Sequence, residues 1–208
     1  MIVYVEPEGR ARHAAEIEQY LKLRKEVFCD RLRWVAPGTD GMERDALDEE
    51  YNLYVLHLDD ESGRVSGGVR LMPTTGRTLL HTVWADMLPQ PELYRSPHIW
   101  EATRFCVDSR ASSRRTNLAN RATLALTLAV IDFAQANAVS QIIAVCESKF
   151  FEMTNAYCGD ATIVERRIDA NGVDTCCGLW SAEMDRSRIA WARQFIGGAD
   201  PVRLDKVA

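Results

Sequence analysis

The sequence predicts a mixed α/β sandwich formed as a single domain over residues 1–208. Three observations carry that prediction. Runs of β-branched and aromatic residues of strand length are interleaved with longer stretches whose apolar residues recur at helical spacing. Their order is strand, helix, several strands, long helix, strand, helix, hairpin, which departs from the strict alternation of a doubly wound sheet. With 47% hydrophobic and 26% charged residues over 208 positions, the chain can also bury one substantial core.

Residues 2 to 6 read as a short β-branched strand ended by Pro7 and Gly9. A helix is expected from about Ala11 to Asp30, with Ile17, Tyr20, Leu21, Val27 and Phe28 as its apolar stripe. Helical spacing puts Arg24 on that stripe, four residues from both Tyr20 and Phe28. Either its head reaches water along a buried stem, or it meets a carboxylate or an anionic ligand in a cleft. The stretch from Trp34 to Leu47, with Pro37, Gly38 and Gly41, reads as an ordered irregular loop. Asp45 and Asp48 at its end suit turn or helix-cap positions.

Tyr51 to Leu58 and Val65 to Met72 form an expected hairpin through the turn-rich Asp59 to Gly63. Arg70 then shares a face with Ser66, Gly68 and Met72. Beside Gly68 there is room for a ligand or another backbone, although a solvated arginine on an edge strand fits the same pattern. Pro73 to Pro97 is loop with a short helical piece near Val83 to Met87, and the strand Trp100 to Val107 follows. A very apolar helix, Thr116 to Ala136, must be buried against a sheet, and Arg110, Arg114 and Arg115 precede it. Positive charge before a helix start suits a phosphate, though a solvated loop is its commoner meaning. Gln141 to Cys146 is a buried strand and Ser148 to Tyr157 a helix. Asn171-Gly172 marks a hairpin between Ala161 to Ile168 and Val173 to Ala182, and Arg186 to Phe195 is a closing helix.

The net charge of −5 gives no overall attraction for nucleic acid or an anionic membrane surface, so neither is expected as a partner. No apolar run is long enough to span a bilayer, and the start of the chain does not read as a signal peptide. The six cysteines lack C-x-x-C spacing and suit a reducing cytoplasm. No G-x-G-x-x-G, P-loop or G-x-S-x-G is present, and the four histidines have no paired metal spacing, so no metal is assigned.

What remains is a set of acids and arginines on apolar elements: Arg24, Asp45, Asp48, Arg70, Glu101 and Arg104. Mutual ion pairing could hold them all. Desolvation can exceed the Coulombic gain, however, so a polar ligand cleft is the better account. Glu101 and Arg104 form its centre, because the run Trp100-Glu101-Ala102-Thr103-Arg104-Phe105 otherwise reads as a core strand. In a regular strand their odd separation sets them on opposite faces. A bulge or splay near Ala102 and Thr103 is therefore expected if both serve one site.

Leu23-Arg24, Phe28, Arg31 and Trp34, then Glu43-x-Asp45-x-x-Asp48, Gly68-x-Arg70-Leu71 and Trp100-Glu101-x-x-Arg104-Phe105 together resemble the acyl-homoserine-lactone synthase, or autoinducer synthase, family. The match covers roughly the first half of the chain. It departs at Leu47, where the family usually has Phe or Tyr, and at Ala36, where a larger aliphatic is usual. Both bear on pocket shape rather than chemistry.

The resemblance implies an α-β-α sandwich similar to the GCN5-related N-acetyltransferases, with its mixed sheet splayed open at the strand of Glu101. It implies S-adenosylmethionine and an acyl thioester, on coenzyme A or acyl carrier protein, as substrates, with no cofactor. The products are an N-acyl-homoserine lactone, a quorum-sensing signal, and 5′-methylthioadenosine. Glu101 is then the general base, with Arg104 beside it. Arg104, Arg24 or Arg70 would hold the substrate carboxylate, and Asp45 and Asp48 the ammonium or those arginines. Phe28 and Trp34 would cover the adenosine or sulfonium, and Phe105 and Cys146 join the substrate-binding residues. Cys146, where relatives that accept 3-oxo chains often have Thr or Ser, points to an unsubstituted, branched or aromatic acyl group. Arg110, Arg114 and Arg115 would meet coenzyme A phosphates or an acidic carrier. The rival readings are an N-acyltransferase of the same fold acting on another amine, and a non-catalytic S-adenosylmethionine sensor. Ser109 to Asn120 lacks the glycines of the usual pyrophosphate loop, which counts against the first.

Overall fold

In a computed structural model of the chain, which describes residues 1–108, 110, 121–158, 161–183 and 186–196, a seven-stranded mixed sheet separates two helical layers. The elements are β1 (Ile2–Val5), α1 (Ala14–Arg24), β2 (Leu53–Leu58), β3 (Val65–Pro73), β4 (Ile99–Val107), α2 (Arg121–Ala136), β5 (Gln141–Glu147), α3 (Ser148–Cys158), β6 (Ala161–Ile168), β7 (Asp174–Ser181) and α4 (Arg186–Ile196). The strands lie in the order β1-β2-β3-β4-β5-β7-β6.

All neighbours are antiparallel except β4 and β5, and that parallel pairing is short. It joins Ile99–Glu101 to Gln141–Ile143 and then stops, so the two strands part beyond Glu101. The expected splay therefore falls at the expected residue.

Strand alternation sends Val55, Val69 and Leu71 to one face, where they pack on Leu126, Val130 and Phe133 of α2. Tyr54, Leu56 and Cys106 point the other way, onto Tyr20, Leu23 and Phe28. Gly68 sits on this second face. A Cβ there would lie 2.6 Å from the Tyr20 ring, so the space expected for a ligand or a backbone is filled by Tyr20.

The first helix is shorter than its apolar spacing suggests. After Arg24 it widens into π-helical turns over Lys25–Arg31, which carry Phe28. Such turns insert a residue into the helical ladder and are common at functional sites. The loop from Trp34 ends in a 3-10 turn, Ala46–Asp48, closed by a reciprocal cap between Asp45 and Asp48. Between β3 and β4, 3-10 turns occur at Ala85–Met87 and Pro91–Tyr94 in place of the helical piece expected near Val83 to Met87.

The bulge in β4 is real and lies one residue beyond the expected place. Arg70 faces Thr103 and Gly68 faces Cys106, so three residues of β4 advance against two of β3. Arg104 carries the irregularity at φ 56°. The extra residue changes the parity of the strand. Ala102 and Phe105 consequently share the α2 face, and Arg104 joins Glu101 on the α1 side.

Candidate active site

Beneath the α1 face, Arg24, Arg70 and Arg104 interlock with Glu43, Asp45 and Asp48. Arg24 donates from Nε to Glu43 at 2.6 Å and grips both oxygens of Asp48 at 2.8 and 3.0 Å. Arg70 holds both oxygens of Asp45 at 2.7 and 2.9 Å and reaches Asp48 at 2.6 Å. Arg104 bonds Glu43 at 3.0 Å and Asp45 at 2.8 Å. The Tyr54 hydroxyl donates to Asp48, and Arg70 Nε to the Thr103 hydroxyl. Positive and negative charges balance, and each carboxylate serves two guanidinium groups.

Arg24 and Arg70 are both fully buried, so neither the snorkelling Arg24 nor the solvated edge-strand Arg70 describes this molecule. Burial pushes the Asp48 carboxyl up, but its bonds to Arg24 and the nearby Arg70 overcome that and leave it well below the usual carboxylate range. Asp45 is lowered against the same burial by Arg70 and Arg104. Sequence reasoning placed Glu43 in a motif without giving it a role. It turns out to be the joint between Arg24 and Arg104, and its spacing from Asp45 and Asp48 was the available signal.

Glu101 has no such partner. Its two oxygens share the Leu80 backbone N–H at 3.1 Å, and its exposure is 1%. Burial raises its pKa to about 7, against the lowering effects of Leu80 N–H, the Thr78 side chain, Arg70 and Arg104. A carboxyl titrating there exchanges protons readily near neutral pH.

Glu101 lines a cavity of about 510 Å³ that runs through the parting of β4 and β5. Toward α1 the wall is cationic and aromatic. Arg104 lies 5.3 Å over the Phe28 ring, Trp34 stacks 6.0 Å from Phe28, and Trp84 meets Trp34 edge-on at 5.5 Å. Trp34 is fixed by a 2.6 Å bond from Nε1 to Asp169 on the β6–β7 turn. Toward α2 and α3 the wall turns apolar, with Phe105, Val130, Ile142, Cys146 and Phe150. The Cys146 thiol, directly opposite Cys176 on β7, is raised by its hydrogen bond with that thiol and by burial.

Of the residues expected at the site, Glu101, Arg104, Phe28, Trp34, Phe105 and Cys146 line this cavity. Arg24, Asp45, Asp48 and Arg70 do not; they stand behind Arg104 and hold it. Arg110 is exposed and paired with Glu26 and Asp108, while Arg114 and Arg115 lie outside the described residues. Among the described residues, no group of His, Cys, Asp and Glu could hold a metal, and no helix is long and apolar enough to cross a membrane.

A sheet parted beside a half-polar, half-apolar cavity that holds one protonatable carboxyl belongs to the acyltransferase class. A putative N-acetyltransferase from Lactobacillus plantarum shares this fold, at a TM-score of 0.53 and 15% identity over 88% of this chain and 97% of its own. A family model described as autoinducer synthase matches residues 9–175. The acyl-homoserine-lactone synthase of Agrobacterium fabrum is 34% identical over 150 residues, 72% of this chain and 71% of its own. BjaI, a CoA-dependent acyl-homoserine lactone synthase solved with SAM and isopentyl-CoA, superimposes at a TM-score of 0.78, with 26% identity over 99% of this chain and 95% of its own. The chain belongs to the autoinducer synthase family, the acyl-homoserine-lactone synthases.

Proposed function

We propose that residues 1–208 act as one synthase domain in which Glu101 is the general base for acyl transfer to S-adenosylmethionine. The observation that carries this is the place of Glu101: an unpaired, buried carboxyl where β4 and β5 part, on a cavity open to both faces of the sheet. The aromatic and cationic α1 side suits an adenosyl sulfonium. The apolar side suits an acyl chain.

The substrate ammonium must lose one proton before its nitrogen can attack, and Glu101 receives it. The amine adds to the thioester carbonyl. Backbone N–H groups along the parted edge, where no ladder continues, are oriented to stabilise the oxyanion. Collapse breaks the C–S bond, and the second amine proton leaves with the thiol. The methionine carboxylate then displaces the sulfonium sulfur at its own γ-carbon, closing the lactone and releasing 5′-methylthioadenosine with no net proton change. Arg104, the arginine of the network that lines the cavity, holds that carboxylate.

The acyl donor is carried on coenzyme A or acyl carrier protein, and the acyl group is unsubstituted, branched or aromatic. Thr127 and Thr154 line the acyl side, but both hydroxyls donate to carbonyls of their own helices, which leaves little to recognise a 3-oxo group. A 3-oxo lactone as the main product by mass spectrometry would remove this assignment. We place the enzyme in the cytoplasm, where its thiols stay reduced. The test is release of 5′-methylthioadenosine from S-adenosylmethionine and acyl thioester by wild type and Glu101→Gln. Loss of release in the variant supports the base, and wild-type release refutes it.

A further inference from the structure

Acyl transfer leaves one proton on Glu101 in every turnover. The side chain is 1% exposed, so that proton needs a way out before the next ammonium can be deprotonated. The loop between β3 and β4 supplies one.

Thr78, itself fully buried, hydrogen-bonds Glu101 through its side chain. Its Oγ1 also lies 2.8 Å from His81 Nδ1. On the far side of the imidazole, Nε2 lies 3.2 Å from the Pro91 carbonyl oxygen. A carbonyl can only accept, so this contact keeps the hydrogen on Nε2 and leaves Nδ1 as a lone pair. The Thr78 hydroxyl then donates to Nδ1, and its own lone pair is free to accept from a protonated Glu101. His81 is half-buried, at the rim of the loop. The chain of groups thus has a direction, from the buried carboxyl outward.

We propose that Thr78 and His81 form the route by which the proton taken up by Glu101 leaves the buried site. The Glu101 O–H proton passes to Thr78 Oγ1 as the Thr78 proton passes to His81 Nδ1. The imidazolium gives up a proton to water at the rim, and the Pro91 carbonyl restores the same tautomer. No bond other than O–H and N–H changes, and no electron is moved. The groups facing His81 are Thr78 from its own loop, and Pro91, Glu92 and Arg95 from the neighbouring turn. Glu92 and Arg95 are paired at 2.7 Å. Burial and Arg95 hold the imidazole below its ordinary pKa despite the Pro91 carbonyl and Glu92, so it stands neutral and ready to accept.

This inference rests on Glu101 as the base, and both residues act through Glu101 rather than on substrate. The experiment follows thiol release from acyl-coenzyme A and S-adenosylmethionine by Thr78→Val, Thr78→Ser, His81→Ala and Glu101→Gln, with and without added imidazole. Thr78→Val and His81→Ala are expected to lower kcat about tenfold with KM for both substrates within about twofold. Thr78→Ser, which keeps the hydroxyl, should stay near wild type. Imidazole should restore His81→Ala in proportion to its free-base fraction and leave Thr78→Val low. If Glu101→Gln is inactive while both relay variants keep wild-type kcat, or lose it without rescue of His81→Ala, the relay is wrong and the base stands. If Glu101→Gln is active, both fall.

Discussion

The interlocked arginines and acids and the lone Glu101 lie side by side beneath one face of the sheet, yet burial has opposite consequences for them. In the network every charge faces an opposite one, so Asp45 and Asp48 are held ionised below their ordinary range. Glu101 receives one backbone N–H and the Thr78 side chain, and burial raises it to about 7. Burial alone therefore does not mark chemistry; an unmatched buried charge does. The network is scaffolding that orients Arg104, and Glu101 is the group left free to take a proton.

The largest effect expected from breaking this contrast is on Glu101 itself. Glu101→Gln should lower 5′-methylthioadenosine release by about 10²–10⁴-fold. It should leave the fold intact, because the Gln oxygen can still accept from Leu80 N–H. Glu43→Ala should do the reverse. It strips Arg24 and Arg104 of a shared carboxylate, and chemical denaturation should show a loss of about 3–5 kcal/mol.

The pH dependence separates the two regions by sign. Asp45 and Asp48 have depressed values, so the stability they give is present above about pH 4 and is lost as pH falls toward their folded values. Glu101 has a raised value. Its contribution is greatest below about pH 4 and is lost as pH rises through about 7. At about pH 8, Glu101→Gln should thus be more stable than wild type by on the order of 1 kcal/mol, as read by thermal melting. The smallest effect is expected at the cavity wall. Trp34→Phe loses the bond to Asp169 but keeps the ring, and should raise KM for S-adenosylmethionine about threefold with kcat unchanged.

Much of this was legible in the sequence, and for physical reasons. Alternation in Val65 to Met72 placed Arg70 and Gly68 on one face correctly, because period-2 geometry fixes faces within a strand. The odd separation of Glu101 and Arg104 required a bulge, and one exists at Arg104. Which arginine meets which acid was not legible. Glu43 reaches Arg104 across 61 positions of sequence, and local periodicity does not encode such a contact. The π-helical turns at Lys25–Arg31 were equally hidden, since their residues read as an ordinary helix continuing past Arg24. His81 looked like any isolated histidine, and only the fold brought it to Thr78 and Pro91.

The most direct measurement is the pH profile of kcat/KM for 5′-methylthioadenosine release, in wild type and Glu101→Gln, between about pH 5 and pH 9. A free base titrating at about 7 predicts a wild-type rate that rises through that value and a residual variant rate that lacks the step. A wild-type profile flat across that range, or the same step persisting in Glu101→Gln, would contradict the assignment.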